Sequence, residues 1–236
     1  MAELLGANYK ELYGEYYDGS VTAKRTIAAQ DTLEHIRGLV GTRKFGKVID
    51  VGAGEGSLLA LLHKDGIAEQ LYAVEVSPSG LGAIQARGLP AEAREFDGYH
   101  IPYDDQYFDL VISIHVMEHV EHERLLLHEL RRVGKQLLIE VPIEGGMRID
   151  RSIAASGPYG HINFYNPAAF LNLLVTAGFR VLGSRVLTSS LRYEQSLSGR
   201  LKGQIKHMIR KGALKLLPRH APWAFTYLMA AYCEPQ

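Results

Sequence analysis

The chain has one cysteine, Cys233, no nearly apolar run longer than Ala224 to Cys233, and no excess of either charge, with 26 Lys and Arg against 26 Asp and Glu. A single cysteine excludes an intrachain disulfide and any cysteine-built metal site. The Ala224 to Cys233 run is far short of the ~20 residues a membrane helix needs. Met1 to Tyr17 lacks the positive flank followed by an apolar run that marks a secretory signal. These absences predict a soluble, cytoplasmic protein. There is no internal repeat and no low-complexity tract. One further absence is local: residues 195 to 233 hold no Asp or Glu, yet carry Arg200, Lys202, Lys206, Arg210, Lys211, Lys215 and Arg219. The tail is therefore basic and the body acidic.

With 236 residues, 47% of them hydrophobic and 22% charged, the chain can bury a full core. Apolar runs alternate with helical patterns, as a parallel-sheet α/β protein requires. Lys47 to Val51, Leu71 to Val76, Glu92 to Phe96, Phe108 to Ile114 and Gln136 to Val141 read as five strands. Helical patterns at 57 to 64, 81 to 87, 121 to 132 and 167 to 177 fall between or after them. Phe179 to Thr188 and Ala224 to Cys233 read as an antiparallel pair at the sheet edge, because the basic stretch between them offers no apolar crossover helix. Ala23 to Val40 places Ile27, Leu33, Ile36 and Val40 near helical spacing and would pack on the core or over a cleft. The expected architecture is an α/β, Rossmann-like three-layer sandwich. Its seven-stranded sheet is mostly parallel with an antiparallel edge strand, extra N-terminal helices and a basic helical insertion before the last strand. As a single domain it divides into an N-terminal helical lid (1–44), a cofactor-binding core (45–190), the basic insertion (191–221) and a last edge strand (222–236).

The central motif is Val48-Ile49-Asp50-Val51-Gly52-Ala53-Gly54-Glu55-Gly56-Ser57, a strand running into glycines and then a helix. Glycines permit positive φ and close approach of backbone to a ligand. Such a turn lies at the carboxyl edge of the sheet, where open α/β folds bind small molecules. A tight turn without a ligand would look the same in isolation. Glu75, at the end of the second strand, can accept from both ribose hydroxyls, and Val76 follows it. Asp97, after the third strand, can accept from an adenine amino group, with apolar ring contact from Phe96. Acids closing successive strands beside a glycine turn are harder to explain as solvated strand ends. A nicotinamide or flavin enzyme would need a glycine at position 57, where Ser57 stands.

In this order the motifs resemble those of the class I S-adenosylmethionine-dependent methyltransferases, in particular the small-molecule group with its acid-x-Gly-x-Gly-x-Gly turn. The resemblance spans roughly residues 45 to 180 and includes Phe96-Asp97, Tyr107-Phe108-Asp109-Leu110-Val111, Met117-Glu118-His119-Val120, Glu140-Val141-Pro142 and Ala177-Gly178-Phe179. It implies S-adenosyl-L-methionine as cofactor. Asp50 would position the methionine portion, and Gly52, Ala53, Gly54 and Gly56 would line the cofactor. Glu75 would bind ribose and Asp97 adenine, and Ile114 and His115 would close the cleft near the reactive methyl.

Methyl transfer from an activated sulfonium needs alignment and exclusion of water, plus a general base when the acceptor is a hydroxyl. His115, at the end of the fourth strand, is the first candidate for that base or for an acceptor-orienting group; a cleft-lining role is the alternative. His161, in the loop after the fifth strand, is the second, with a structural histidine bonded to backbone as its alternative. Tyr13, Tyr16 and Tyr17 would serve an aromatic lid or a packed helix. His115, His119 and His122 with Glu118 and Glu121 have spacings that suit a metal, but His115 sits at a strand end and no metal is expected. Ser113-Ile114-His115-Val116 lacks the Pro-Pro-Tyr/Phe arrangement of base-amine methyltransferases, so a small-molecule acceptor is expected rather than nucleic acid. Leu197, Leu201, Ile205, Met208 and Ile209 predict an amphipathic helix in the basic arm. Peripheral membrane contact through 197–219, steering of an acidic substrate, or a solvated edge helix would each account for it.

Overall fold

The computed structural model describes residues 23–147, 149–155 and 160–236. Tyr13, Tyr16 and Tyr17 lie outside them. Seven strands form one sheet: β1 (Phe45–Val51), β2 (Ala68–Glu75), β3 (Ala91–Glu95), β4 (Leu110–Ile114), β5 (Leu137–Ile143), β6 (Phe179–Leu187) and β7 (Tyr227–Pro235), in the order β3-β2-β1-β4-β5-β7-β6. β1 to β5 are mutually parallel, and β7 runs antiparallel to both β5 and β6. The chain winds outward from β1 to β3, then returns to β4 on the other side of β1. The carboxyl ends of β1 and β4 therefore flank the switch point where such sheets open a crevice.

The seven strands, the parallel majority and the antiparallel pair match the expectation. The last strand does not lie at the edge. β7 is buried from Tyr227 to Cys233 apart from Leu228 and needs neighbours on both sides, whereas β6 alternates with exposed residues and takes the edge.

Successive strand residues point to opposite faces and build two cores. Ile49, Val51, Val111, Ile139 and Val141 meet Leu126, Leu127 and Leu130 of α4 (Glu123–Val133) and Phe170 and Leu174 of α6 (Pro167–Thr176). Val48, Leu110, Ile112 and Leu138 meet Ile36 and Val40 of α1 (Ala23–Val40), Leu59 and Leu62 of α2 (Ser57–Asp65) and Ile84 of α3 (Pro78–Ala86). Helices thus cover both faces, and each fully buried Leu or Ile contributes roughly 1.5–3 kcal/mol by leaving water. Helix starts follow their caps. Ser77 accepts from Gly80 N–H ahead of Pro78, and Asn166 from Ala169 N–H at 2.9 Å ahead of Pro167.

The remaining helices are α5 (Ile149–Ala155), α7 (Leu191–Ser198), α8 (Arg200–Leu216) and α9 (Ala221–Ala224). The basic arm is two helices rather than the one predicted. Gly199 breaks it at φ 79° and ψ 165°, a conformation open essentially to glycine alone, so Leu197 belongs to α7. No helix among the described residues is long and apolar enough to cross a membrane.

Candidate active site

A cleft of about 250 Å³ opens at the carboxyl ends of β1 and β4. Asp50, Gly52, Ala53 and Gly54 form its floor, Ile114 and His115 one wall, and Arg25, Ala28, Ala29 and Thr32 of α1 the other. Gly52 has φ 78°, and a Cβ there would lie 2.5 Å from Val116 Cγ2. The turn therefore admits no larger residue without moving the wall. Gly80, unremarked in the sequence, packs as tightly: its Cβ would meet Gly54 O at 2.8 Å and Glu75 Cγ at 2.9 Å.

Two buried carboxyls, Asp50 and Glu75, lie at the turn, and Glu75 holds it. Glu75 Oε2 accepts from Gly54 N–H at 2.8 Å and Oε1 from Ser77 N–H at 3.0 Å. Burial raises its pKa against these bonds. Asp50 is pushed up to about 7, chiefly by burial and then by the charge of Glu75. Glu55 adds a third acid beside the cleft, paired with Arg25 at 2.9 Å.

A second group runs from the cleft toward the loop after β5. His115 has φ 56°, a left-handed backbone uncommon outside glycine, and its side chain is 39% exposed. Its Nδ1 is 3.1 Å from Glu118 Oε1, and its Nε2 is 3.5 Å from Glu140 Oε1, a distance that marks an ion pair rather than a hydrogen bond. Glu140 Oε2 meets His35 Nδ1 of α1 at 2.7 Å. Burial works against a charged His115, but Glu118 and Glu140 outweigh it and push its pKa up to about 10. His115 is thus an imidazolium at neutral pH, with both nitrogens turned to carboxylates. In turn His115 and His35 hold Glu140 well below the usual carboxylate range, in spite of its burial.

The turn Met117–His119 receives the loop after β5. Ile162 and Asn163 N–H donate to Glu118 O, and Asn163 Nδ2 donates to Met117 O at 2.9 Å and Val120 O at 2.7 Å. This clamp sets the His161 ring 5.1 Å from that of His119. His161 Nδ1 donates to Glu144 Oε2 at 2.7 Å, which raises its pKa, while burial lowers that of His119. Glu118, His119 and His161 each bring one ligand atom within 4.8 Å of the others, the one such grouping among the described residues that could hold a cation. Glu118 Oε2 is buried there without a hydrogen-bond partner.

Of the residues singled out in the sequence, Asp50, Gly52, Ala53, Gly54, Ile114 and His115 come together in the cleft. Glu75 reaches it through Gly54, and Gly56 caps α2 at φ 78°. Val76 and Phe96 pack with the core, and Asp97 lies two residues past β3, accepting from Tyr99 and His100 N–H. These last three do not line the cleft, and neither does His161, which joins it only through the Glu118 and His119 group. Glu140 was legible as a lone acid in an apolar strand, LLIEVPI, that is buried throughout. Arg25, His35 and Glu144 carried no comparable signal.

Residues 49–137 match the family model described as a methyltransferase domain. A ubiquinone/menaquinone biosynthesis C-methyltransferase (UbiE) from Cupriavidus pinatubonensis is 30% identical over 103 residues, 40% of this chain and 42% of that protein. Ajmaline N-methyltransferase from Rauvolfia serpentina is 33% identical over 94 residues, 37% of this chain and 32% of that protein. The chain spans less than half the length of these relatives. The structure of geranyl diphosphate C-methyltransferase from Streptomyces coelicolor A3(2) superposes with a TM-score of 0.70 over 98% of this chain and 99% of that one, at 13% identity. The Rossmann-like fold is common to both.

Proposed function

We propose that this chain, whose residues 49–137 match the methyltransferase-domain model, is a class I S-adenosylmethionine-dependent methyltransferase that transfers a methyl group to an oxygen or nitrogen of a small-molecule acceptor. The observation that carries the cofactor reading is the acidity of the glycine turn. Asp50 and Glu55 line the cleft beside the turn on which a dinucleotide would set its diphosphate, and their negative charge would disfavour it. The same acids suit a ligand bearing an ammonium and a sulfonium charge. The tight backbone at Gly52, which a Cβ would fill, fits a ligand laid directly on the turn.

In this reading Asp50 holds the ammonium end, Gly52 to Gly54 present backbone along the cleft, and Ile114 with His115 shields the reacting end from water. Glu75, fixed by two backbone N–H groups, keeps lone pairs for ribose hydroxyls, and Asp97 takes the adenine side. The cofactor, when bound, supplies an electrophilic methyl group. Because its nitrogens face Glu118 and Glu140, His115 is assigned to positioning rather than proton transfer. For a hydroxyl acceptor the base would be His161, oriented through Nδ1 by Glu144, which leaves Nε2 to accept the acceptor's proton once the ring is neutral.

Titration calorimetry with S-adenosylhomocysteine against NAD tests the cofactor. Binding of the former alone is expected, and its absence would sink the reading. Labelled-methyl transfer into a native extract then tests turnover; tight cofactor binding with no labelled product would instead indicate a cofactor-binding interaction protein. A lipid, quinone or other membrane-associated acceptor is the second reading. It is favoured by the exposed apolar surface of α8 and by the quinone pathway in the name of the Cupriavidus relative.

A further inference from the structure

Surface helices ordinarily turn their apolar stripe inward and their charges outward. α8 does the opposite along its outer side. Leu201, Ile205, Met208, Ile209 and Leu216 recur at i, i+4, i+7, i+8 and i+15, which sets them on one face, and they are 71, 50, 64, 52 and 78% exposed. Contact with the body runs through the opposite face. A Cβ on Gly203 would touch the backbone of Gln195 at 2.6 Å, Arg210 pairs with buried Glu194, and Leu214 packs on the core. The stripe is therefore not a core face left uncovered by chance, since the helix already has its core face.

Lysines border the stripe on both sides. At 100° per residue, Lys202 and Lys206 fall on one flank and Lys211 and Lys215 on the other. None of the four forms an ion pair among the described residues. Long apolar stems with cationic ends on both margins of an apolar face are the arrangement that lies in a lipid interface, stems along the acyl boundary and ammonium groups among phosphates. A second copy of this chain would bring four more lysines to the same flanks, with no acid between residues 195 and 233 to neutralise them.

We propose that α8 docks this chain on an anionic bilayer surface, with the apolar stripe at the headgroup boundary and the four lysines against lipid phosphates. The position of α8 gives the docking a consequence. Tyr227, the first residue of β7, pairs with Ile143, the last of β5, and its hydroxyl donates to Arg210 O at 2.8 Å. α8 is thereby tied to the sheet edge at which the cleft opens. The inference does not depend on the identity of the cofactor.

Co-sedimentation of the full chain with vesicles of phosphatidylcholine, with and without about a third phosphatidylglycerol, tests it at low and high salt. Binding to the anionic vesicles alone, weakened by salt, is expected. I205D/M208D, at two exposed positions, is expected to lower the partition coefficient at least about tenfold with an unchanged circular dichroism spectrum and Tm. K202Q/K206Q/K211Q/K215Q should lower it about a hundredfold or more. Absence of binding to anionic vesicles at low salt overturns the proposal, as does I205D/M208D binding like the wild type. So does a dimer seen by sedimentation velocity that I205D/M208D dissolves while neither protein binds vesicles, since the stripe would then be covered by a second copy.

Discussion

His161 Nδ1 donates to Glu144 Oε2 at 2.7 Å, and this bond raises the pKa of the imidazole above its ordinary 6.5. A base in that setting acts only when neutral, so turnover should climb with pH through a midpoint above 6.5. E144Q removes the negative charge that favours imidazolium, and the midpoint should move down toward the ordinary value. H161Q should lower kcat about 10²- to 10⁴-fold with cofactor affinity unchanged. A pH–rate profile of E144Q that superposes on that of the wild type would remove the dyad from the mechanism.

The pairing of His115 with Glu118 and Glu140 makes stability fall on the alkaline side. With a folded pKa of about 10 against 6.5 unfolded, His115 is protonated when folded and neutral when unfolded across that window. Its contribution is complete below 6.5 and is lost as pH rises through 10. Glu140, depressed from 4.5, adds the opposite limb: its contribution is present above 4.5 and is lost as pH falls through the lower folded value. The Tm of the wild type should therefore decline between pH 7 and about 10. H115N keeps a residue that tolerates the left-handed backbone but removes the imidazole, and its Tm should decline less over the same range. Parallel curves for the two proteins would show that His115 does not carry the charge assigned to it.

Local signals made the half of the fold around the glycine turn readable. Val48 to Ser57 joins strand, turn and helix in one stretch, and Ser77-Pro78 and Asn166-Pro167 announce helix starts by their own chemistry. Where the outcome rested on partners far along the chain, the residues said less. The place of β7 depends on which neighbour is buried, and Gly199 breaks a helix whose apolar spacing continues across it. Asp50 and the glycines were legible because their neighbours in sequence are also their neighbours in space. His35 and Glu140, 105 residues apart, meet only through the packing of α1 on the sheet, and His161 meets Glu118 only through the clamp made by Asn163.

Gly52→Ala tests whether the turn is the cradle. At φ 78° an L-residue costs about 1–2 kcal/mol, and the new methyl would also sit 2.5 Å from Val116 Cγ2. G52A should lower the Tm and weaken S-adenosylhomocysteine binding at least about tenfold. In G52A/V116A the steric part is relieved and the backbone part remains, so affinity should recover only in part. Wild-type affinity in G52A would place the ligand elsewhere.

Asp50 should make cofactor binding pH-dependent. Burial and the Glu75 charge put its pKa at about 7 in the ligand-free chain, so the carboxyl is about half protonated at neutral pH. An ammonium group set against it favours the carboxylate, and binding must then expel the proton. Affinity for S-adenosylhomocysteine should rise up to about tenfold per pH unit below 7 and level off above it. Calorimetry at pH 6.5 in two buffers of different ionisation enthalpy should register release of most of one proton per ligand bound. D50N cannot titrate, so its affinity should be lower and flat with pH. If the slope survives in D50N, the proton comes from another group; if the wild type shows no slope, the carboxyl does not meet the ammonium. Either result would separate Asp50 from the ligand without disturbing the case for His161, whose pH dependence appears in kcat rather than in binding.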